Sequence, residues 1–195
     1  MAAARSIGAI VFSDECYAEL TWDGTDTAPS ILDPEVCGGS HDGVVAVYSL
    51  SKQSNLAGYR AAFAAGDPTV LSRLLEVRKH AGFIVPGPVQ AAMTAALGDD
   101  AHVATQRELY AQRRAVLKPA LEAAGFRIDD SNAGLYLWAT RDEDCWDTIA
   151  WLAGLGIVAA PGAFYGEAGR RHVRVALTAT DEQVHAAALR LTNAR

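Results

Sequence analysis

Of the 195 residues only three are lysine and only three are cysteine. The cysteines, Cys16, Cys37 and Cys145, lie far apart and form no Cys-x-x-Cys pair. That argues against a structural zinc site and against a disulfide framework, and fits a reducing cytoplasm. No apolar run reaches the length that spans a membrane. Basic blocks are missing too: "RRA" at 113 and "GRRHVR" at 169 are short, and 17 basic residues stand against 23 acidic ones, a net charge of −6. This balance disfavours a nucleic-acid partner. The histidines at 41, 80, 102, 172 and 185 are scattered, and no pair has metal-ligand spacing. The opening "MAAARSIGAIVF" has one arginine before a short apolar stretch, too little for a secretory signal.

What is present suits a folded domain. Half of the residues are apolar and 21% are charged, in a chain long enough to bury a substantial core. "GAIVFSDE" (8–15) and "GVVAVYSLS" (43–51) are continuous apolar runs with β-branched residues, the pattern of strands covered on both faces. "RAAFAAG" (60–66) is a shorter third strand. Helices are expected at 67–81 and 88–97. The first has Asp67 as its cap, Pro68 in its first turn, and an apolar stripe of Val70, Leu71, Leu74, Leu75 and Val77. A long helical stretch from 99 or 100 to 124 stops at Gly125, and Pro119 is expected to bend or divide it. Beyond it the pattern reads strand ("FRIDD"), strand ("GLYLWAT"), helix ("DEDCWDTIAWLAGLG"), strand ("IVAAPG"), loop ("AFYGEAGRR"), strand ("HVRVALT") and helix ("DEQVHAAALRLTNA"). An α/β half is therefore followed by an α+β half.

The residues with chemical potential sit at strand ends. In "SLSKQSNLAGYR" (49–60), Lys52 follows the second strand, where α/β folds place ligand sites. A desolvated lysine there suits Schiff-base chemistry with an aldehyde; the alternative is a solvated cation in a polar turn. Ser49, Ser51 and Arg60 offer hydroxyls and a permanent positive charge, which suit a phosphate. "FSDECY" ends the first strand, so Asp14 shares an edge with Lys52 if the two strands run parallel. A carboxylate there needs a cationic partner, such as a protonated pyridine nitrogen. Tyr17, three residues on, has a hydroxyl to donate to a phenolate oxygen. Taken singly, Asp14 reads as a cap and Tyr17 as a core aromatic. Trp138, Trp146 and Trp151 read as packing residues, and Arg170 and Arg171 as a solvated face.

The order "IVFSDECYAEL", "VYSLSKQSNLAGYRAAF", "HVRVALT" resembles the fold-type I aminotransferases that use pyridoxal phosphate, the class I and II, aspartate-aminotransferase-like group. The resemblance runs along nearly the whole chain. It implies an α/β fold: the C-terminal part of a large cofactor-binding domain with a mostly parallel sheet (1–97), then an α+β small domain (98–195). It implies that Lys52 carries the cofactor, that Asp14, Tyr17, Ser49, Ser51 and Arg60 bind it, and that Arg174 grips the substrate α-carboxylate. "NAGLYLW" (132–138) is similar to the segment lining the substrate entrance, and "APGAFYG" (160–166) to a Pro-Gly-x-x-Phe loop. "SLSKQSNLAGYRAAFAAGD" is similar to the actinobacterial type of N-succinyldiaminopimelate aminotransferase, which serves lysine and cell-wall precursor synthesis.

The resemblance further implies a transaminase with glutamate as amino donor, amino-acid and keto-acid substrates, a homodimer, and a cytoplasmic location. It also implies that the chain corresponds to the C-terminal half of such an enzyme, because the family's phosphate-binding loop and ring-stacking aromatic find no place in it. Three other expectations stand beside it. One is a β-lyase acting on cysteine conjugates on the same scaffold. Another is a non-catalytic, aminotransferase-like effector-binding domain, and the last is a non-functional truncated copy.

Overall fold

The computed structural model describes every residue except Asp23, Thr25, Asp26, Phe83 and Arg195. The chain divides into two compact units, Met1–Thr21 with Thr25–Gln106, and Trp22–Gly24 with Arg107–Arg195. No helix among the described residues is long and apolar enough to cross a membrane.

The first unit opens with a short helix α1 (Ala2–Ser6), which the sequence pattern did not announce, and then strand β1 (Val11–Asp14). A single helical turn α2 (Pro34–Cys37) precedes β2 (Val44–Ser49), and α3 (Leu50–Gln53) follows β2 directly. Strand β3 (Ala62–Gly66), α4 (Pro68–Ala81) and α5 (Gly87–Leu97) complete it. The sheet has the order β1-β2-β3. β1 pairs parallel to β2, with Val11 opposite Val44 and Asp14 opposite Val47. β3 runs antiparallel to β2, so this sheet is mixed rather than mostly parallel. Central strand β2 buries Val44, Val45 and Ala46. Leu50, Ala61 and Met93 form a second apolar cluster under Tyr48, Leu56 and Val89.

The turn from β3 into α4 shows why these residues stand where they do. Gly66 has φ 139°, and a Cβ there would lie 2.1 Å from the Val44 carbonyl oxygen, so only glycine lets the strands approach. The carboxylate of Asp67 then accepts from Thr69 N at 2.7 Å, Val70 N at 3.3 Å and Gly43 N at 2.8 Å, capping the helix and tying it to the start of β2. The expected apolar stripe of α4 is present but unburied. No residue of α4 is buried, and Leu75 and Val77 are 56% and 65% exposed.

Helix α6 (Asp100–Ala123) runs from the first unit into the second. It is continuous through Pro119, against the expectation of a division. Proline removes one backbone donor, and here buried Leu117, Ala120 and Leu121 anchor the helix on both sides of that gap. The second unit then has β4 (Arg127–Asp129), β5 (Tyr136–Thr140), α7 (Cys145–Gly154), β6 (Ala160–Pro161), β7 (Val173–Ala176) and α8 (Asp181–Asn193). Its sheet is antiparallel throughout, in the order β4-β5-β7-β6. β6 is much shorter than the apolar run 157–162 suggested. Ile157 N bonds to Leu152 O at 2.9 Å, which spends that backbone group on closing α7.

Alternation runs along β7 and along β5 up to its last residue, Thr140, which is also buried. Leu137, Ala139, Val173 and Val175 are buried against the core, while Tyr136, Trp138, Arg174 and Ala176 take the other face. Two 3-10 turns, Gly162–Tyr165 and Glu167–Gly169, fill the segment read as a loop. Their backbones touch: a Cβ on Gly162 would lie 2.0 Å from Gly169 O, and one on Gly169 would lie 2.3 Å from Gly162 O.

Candidate active site

Parallel pairing of β1 and β2 brings Asp14 and Ser49 to the same end of the sheet. The β-branched run "VVAVYS" ends at Ser49 because that side chain becomes the cap of α3: its Oγ accepts from Ser51 N at 3.1 Å. The two hydroxyls also meet, Ser49 Oγ to Ser51 Oγ at 2.6 Å. One turn later Lys52 leaves α3, and its Nζ lies 5.8 Å from the centroid of the Tyr17 ring. Asp14, Tyr17, Ser49, Ser51 and Lys52 are thus neighbours, although up to 38 positions separate them in sequence.

Asp14 is held as an anion. The thiol and the backbone N–H of Cys16 both donate to its carboxylate, the latter to Oδ1 at 3.1 Å. These bonds set its pKa below the ordinary carboxylate value, partial burial opposes them, and the Lys52 charge adds a smaller lowering. Cys16 responds in the opposite sense. Burial first, and then the Asp14 bond, push its thiol up to about 11, so it stays protonated and is a donor rather than a nucleophile. This role of Cys16 was not legible in the sequence, where it lies between Asp14 and Tyr17 with nothing to activate it.

Below the site, the hydroxyl of Tyr48 donates to Gln53 Oε1, and its ring stacks on Phe63 at 5.5 Å. Burial, with smaller contributions from the nearby acids Glu19, Cys16 and Glu15, raises the Tyr48 phenol to about 12.

Arg60 ends the 3-10 turn Ala57–Tyr59 with φ 51°, and Asn55 has φ 53°. Left-handed backbone at residues other than glycine costs on the order of 1 kcal/mol and concentrates at functional sites. Here it aims the Arg60 side chain, which is exposed and donates from Nη1 to Ala57 O at 3.1 Å. Among the described residues no hydrogen bond joins Arg60 to Ser49 or Ser51.

Arg174 belongs to the second unit. On β7 it stands opposite Trp138 of β5 and Ala160 of β6. Its guanidinium carbon lies 4.1 Å from the Tyr136 ring centroid and 5.3 Å from that of Tyr165. Its Nε is buried without a hydrogen-bond partner among the described residues. Trp138, read as a packing residue, meets Tyr165 edge-on at 5.6 Å and stacks on His172 at 5.0 Å. Arg170 lies against Asp144 and Glu167, and Arg171 donates to Asp142 O, which agrees with a surface role for both.

The donor set fits a phosphorylated pyridine aldehyde. Lys52 offers an amine that suits an aldehyde, Asp14 an anion that suits a ring N–H, and the paired hydroxyls of Ser49 and Ser51 suit a phosphate, with Arg60 a nearby cation in sequence.

The profile of the aminotransferase class I and II family matches residues 1–191. The chain belongs to that family, whose members depend on pyridoxal phosphate. It is 63% identical over 189 residues to 4-dedimethylamino-4-oxo-anhydrotetracycline transaminase OxyQ of Streptomyces rimosus, covering 97% of this chain and 52% of that protein. Over the same length it is 63% identical to a protein of Mycobacterium tuberculosis named "Probable aminotransferase Rv1178", covering 97% and 45%. Among solved structures, a "probable N-succinyldiaminopimelate aminotransferase" from Thermus thermophilus superposes with a TM-score of 0.82 at 29% identity, covering 100% of this chain and 52% of that one. The fold is therefore the fold-type I aminotransferase fold. The chain spans about half the length of the curated relatives it matches. The two relatives at 63% identity have other names than the N-succinyldiaminopimelate enzyme, so the resemblance holds at the level of the family.

Proposed function

We propose that this chain supplies the lysine-bearing part of a pyridoxal-phosphate transaminase site, with residues 1–97 as the C-terminal part of the large domain and 98–195 as the small domain. The observation that carries this is the gathering of Asp14, Tyr17, Ser49, Ser51 and Lys52 at one end of a parallel strand pair.

Bound pyridoxal phosphate supplies an electron sink for the electrons released at the substrate α-carbon. The remaining tasks fall to side chains. Lys52 Nζ would hold the cofactor at rest and, once displaced by the substrate amine, would take up the substrate α-proton as general base. Asp14, kept ionised by Cys16, pairs with the protonated ring nitrogen. Tyr17 donates to the ring oxygen. Ser49, Ser51 and Arg60 hold the phosphate, and Arg174 receives the α-carboxylate in a bidentate pair.

The proposed reaction is glutamate-dependent transamination, in a homodimer in the cytoplasm, with the keto acid of N-succinyldiaminopimelate as acceptor. An acceptor with an α-carboxylate is favoured because Arg174 holds an unneutralised charge on the sheet face. The rival acceptor is a ring ketone such as the one in the name of the Streptomyces relative, supported by the 63% identity. The test incubates the cofactor-loaded protein with glutamate and each acceptor, and measures 2-oxoglutarate. Turnover with N-succinyl-2-amino-6-oxopimelate supports the proposal, and turnover with the ring ketone alone replaces it. Pyruvate and ammonia from a cysteine conjugate would mark a β-lyase instead.

A further inference from the structure

We propose that Tyr136 and Tyr165 are positioning residues for Arg174, which orient its guanidinium while leaving its charge free for a carboxylate. This rests on the assignment of Arg174 to the substrate carboxylate.

Four other arginines of this unit are paired with acids, and Arg114, Arg171 and Arg190 donate to backbone carbonyls. Arg113 lies against Asp181, Arg127 against Asp129 and Asp142, Arg141 against Glu143, and Arg170 against Asp144 and Glu167. Each of those pairs cancels a charge. Among the described residues Arg174 has no ion pair, and its neighbours are rings at 4.1 and 5.3 Å. A carboxylate neighbour would fix the guanidinium but compete with an incoming carboxylate. An aromatic face attracts the cation through its quadrupole and does not compete for the N–H donors.

Strand register makes the arrangement. Trp138 faces Arg174 directly, and Tyr136 lies two residues away on the same face of β5. Tyr165 comes from the 3-10 turn Gly162–Tyr165, whose first residue lies backbone to backbone against Gly169 and donates from N to His172 O at 2.8 Å. Its ring is braced edge-on by Trp138. Trp138 stacks on His172 with 5° between the planes, and His172 Nε2 is held by Asp129 Oδ2 at 2.9 Å. The second ring is thus backed by a continuous file of side chains. With Nε buried and unpartnered, the Nη atoms form the edge offered to a ligand. Free rotation of a long side chain would blur that edge; two rings restrict it.

The experiment compares Tyr136→Phe, Tyr136→Leu, Tyr165→Phe, Tyr165→Leu and Arg174→Ala in the pyridoxal-phosphate-loaded protein. The first readout is the dissociation constant of glutarate, the carbon skeleton of glutamate without its amine, followed by the cofactor absorbance. The second is KM against kcat for glutamate. Both phenylalanine variants should match the parent within about twofold. Both leucine variants should bind glutarate about tenfold more weakly and raise KM by a similar factor, with kcat within about threefold. Tyr165 is half exposed, so its leucine variant should keep the parent's thermal transition even if Tyr136→Leu does not. Leucine variants that bind glutarate like the parent, in a protein where Arg174→Ala abolishes binding, overturn the positioning role alone. An Arg174→Ala variant that binds glutarate normally overturns the carboxylate assignment, and the positioning role with it. Phenylalanine variants as impaired as the leucine ones would assign the effect to the hydroxyls and overturn the role of the rings.

Discussion

Lys52 and Asp129 show how differently one ionisable side chain can act in this protein. Lys52 leaves a helical turn beside an aromatic ring and a carboxylate whose ionisation its charge favours. If it holds the cofactor, borohydride reduction of the loaded protein should leave a covalent adduct on the peptide containing residue 52. Lys79 and Lys118 are the only other lysines, so peptide mapping decides: an adduct on either would move the assignment. Asp129 has a structural role. Bonds from Arg127 and then His172 lower its pKa to about 2. A carboxylate with a pKa of about 3.9 in the unfolded chain then contributes stability above about pH 4, which is lost as the pH falls toward 2. Asp129→Asn should flatten the fall in Tm between about pH 4 and pH 2. Because Arg127 is 55% exposed, added salt should shrink the difference between the two proteins. An unchanged acid slope, measured by calorimetry, would remove Asp129 from the acid response.

At the scale of the element, caps and register do most of the placing. Ser49 ends β2 and starts α3, and this fixes the direction in which Lys52 leaves. Thr180 and Gln183 form a reciprocal capping box at the start of α8, Thr180 Oγ1 accepting from Gln183 N at 3.3 Å and Gln183 Oε1 from Thr180 N at 3.1 Å. α8 buries only Val184 and Leu191, so its cap carries weight. Thr180→Ala should destabilise the protein by about 1 kcal/mol, seen as a lower denaturant midpoint with an unchanged slope. Thr180→Ser should restore most of that loss. Equal midpoints for alanine and parent would show that the box contributes nothing. The expected break at Pro119 failed for a related reason. The local tendency to end a helix at proline is weaker than the packing of Leu117, Ala120 and Leu121 on either side.

For the molecule as a whole, the two units differ in how completely they cover their apolar residues. In the first, Phe63, Leu71, Leu74, Leu75, Ile84 and Leu97 line a groove of about 770 Å³, and Ile7, Ile10 and Phe12 are largely exposed. β1 and β3 are both edge strands of their sheet. Exposed apolar edges of this kind template association. The 195-residue chain by itself should therefore bind a hydrophobic dye and associate with rising concentration. Leu74→Glu with Leu75→Lys should reduce both effects without lowering the thermal transition, since neither side chain is buried. A monodisperse, dye-free parent in light scattering would contradict this.

Much of this arrangement was open to a reader of the chain alone. Asp67 with Pro68 and the alternation in "GLYLWAT" announced a capped helix and a half-buried strand, because capping and pleat are local, while the order Asp-x-x-Tyr, Ser-x-Ser-Lys, Arg suggested candidate site residues through its resemblance to a family. What needed the tertiary structure was everything that depends on partners distant in sequence. The mixed direction of the first sheet, the uncovered stripe on α4, the thiol of Cys16 holding Asp14, and the two rings over Arg174 are of this kind. Tyr136 and Tyr165 lie 38 and 9 positions from Arg174, and no periodicity within either segment says that they meet. Pairing between strands places them together, and that is set by burial of Leu137, Ala139, Val173 and Val175 on the opposite face.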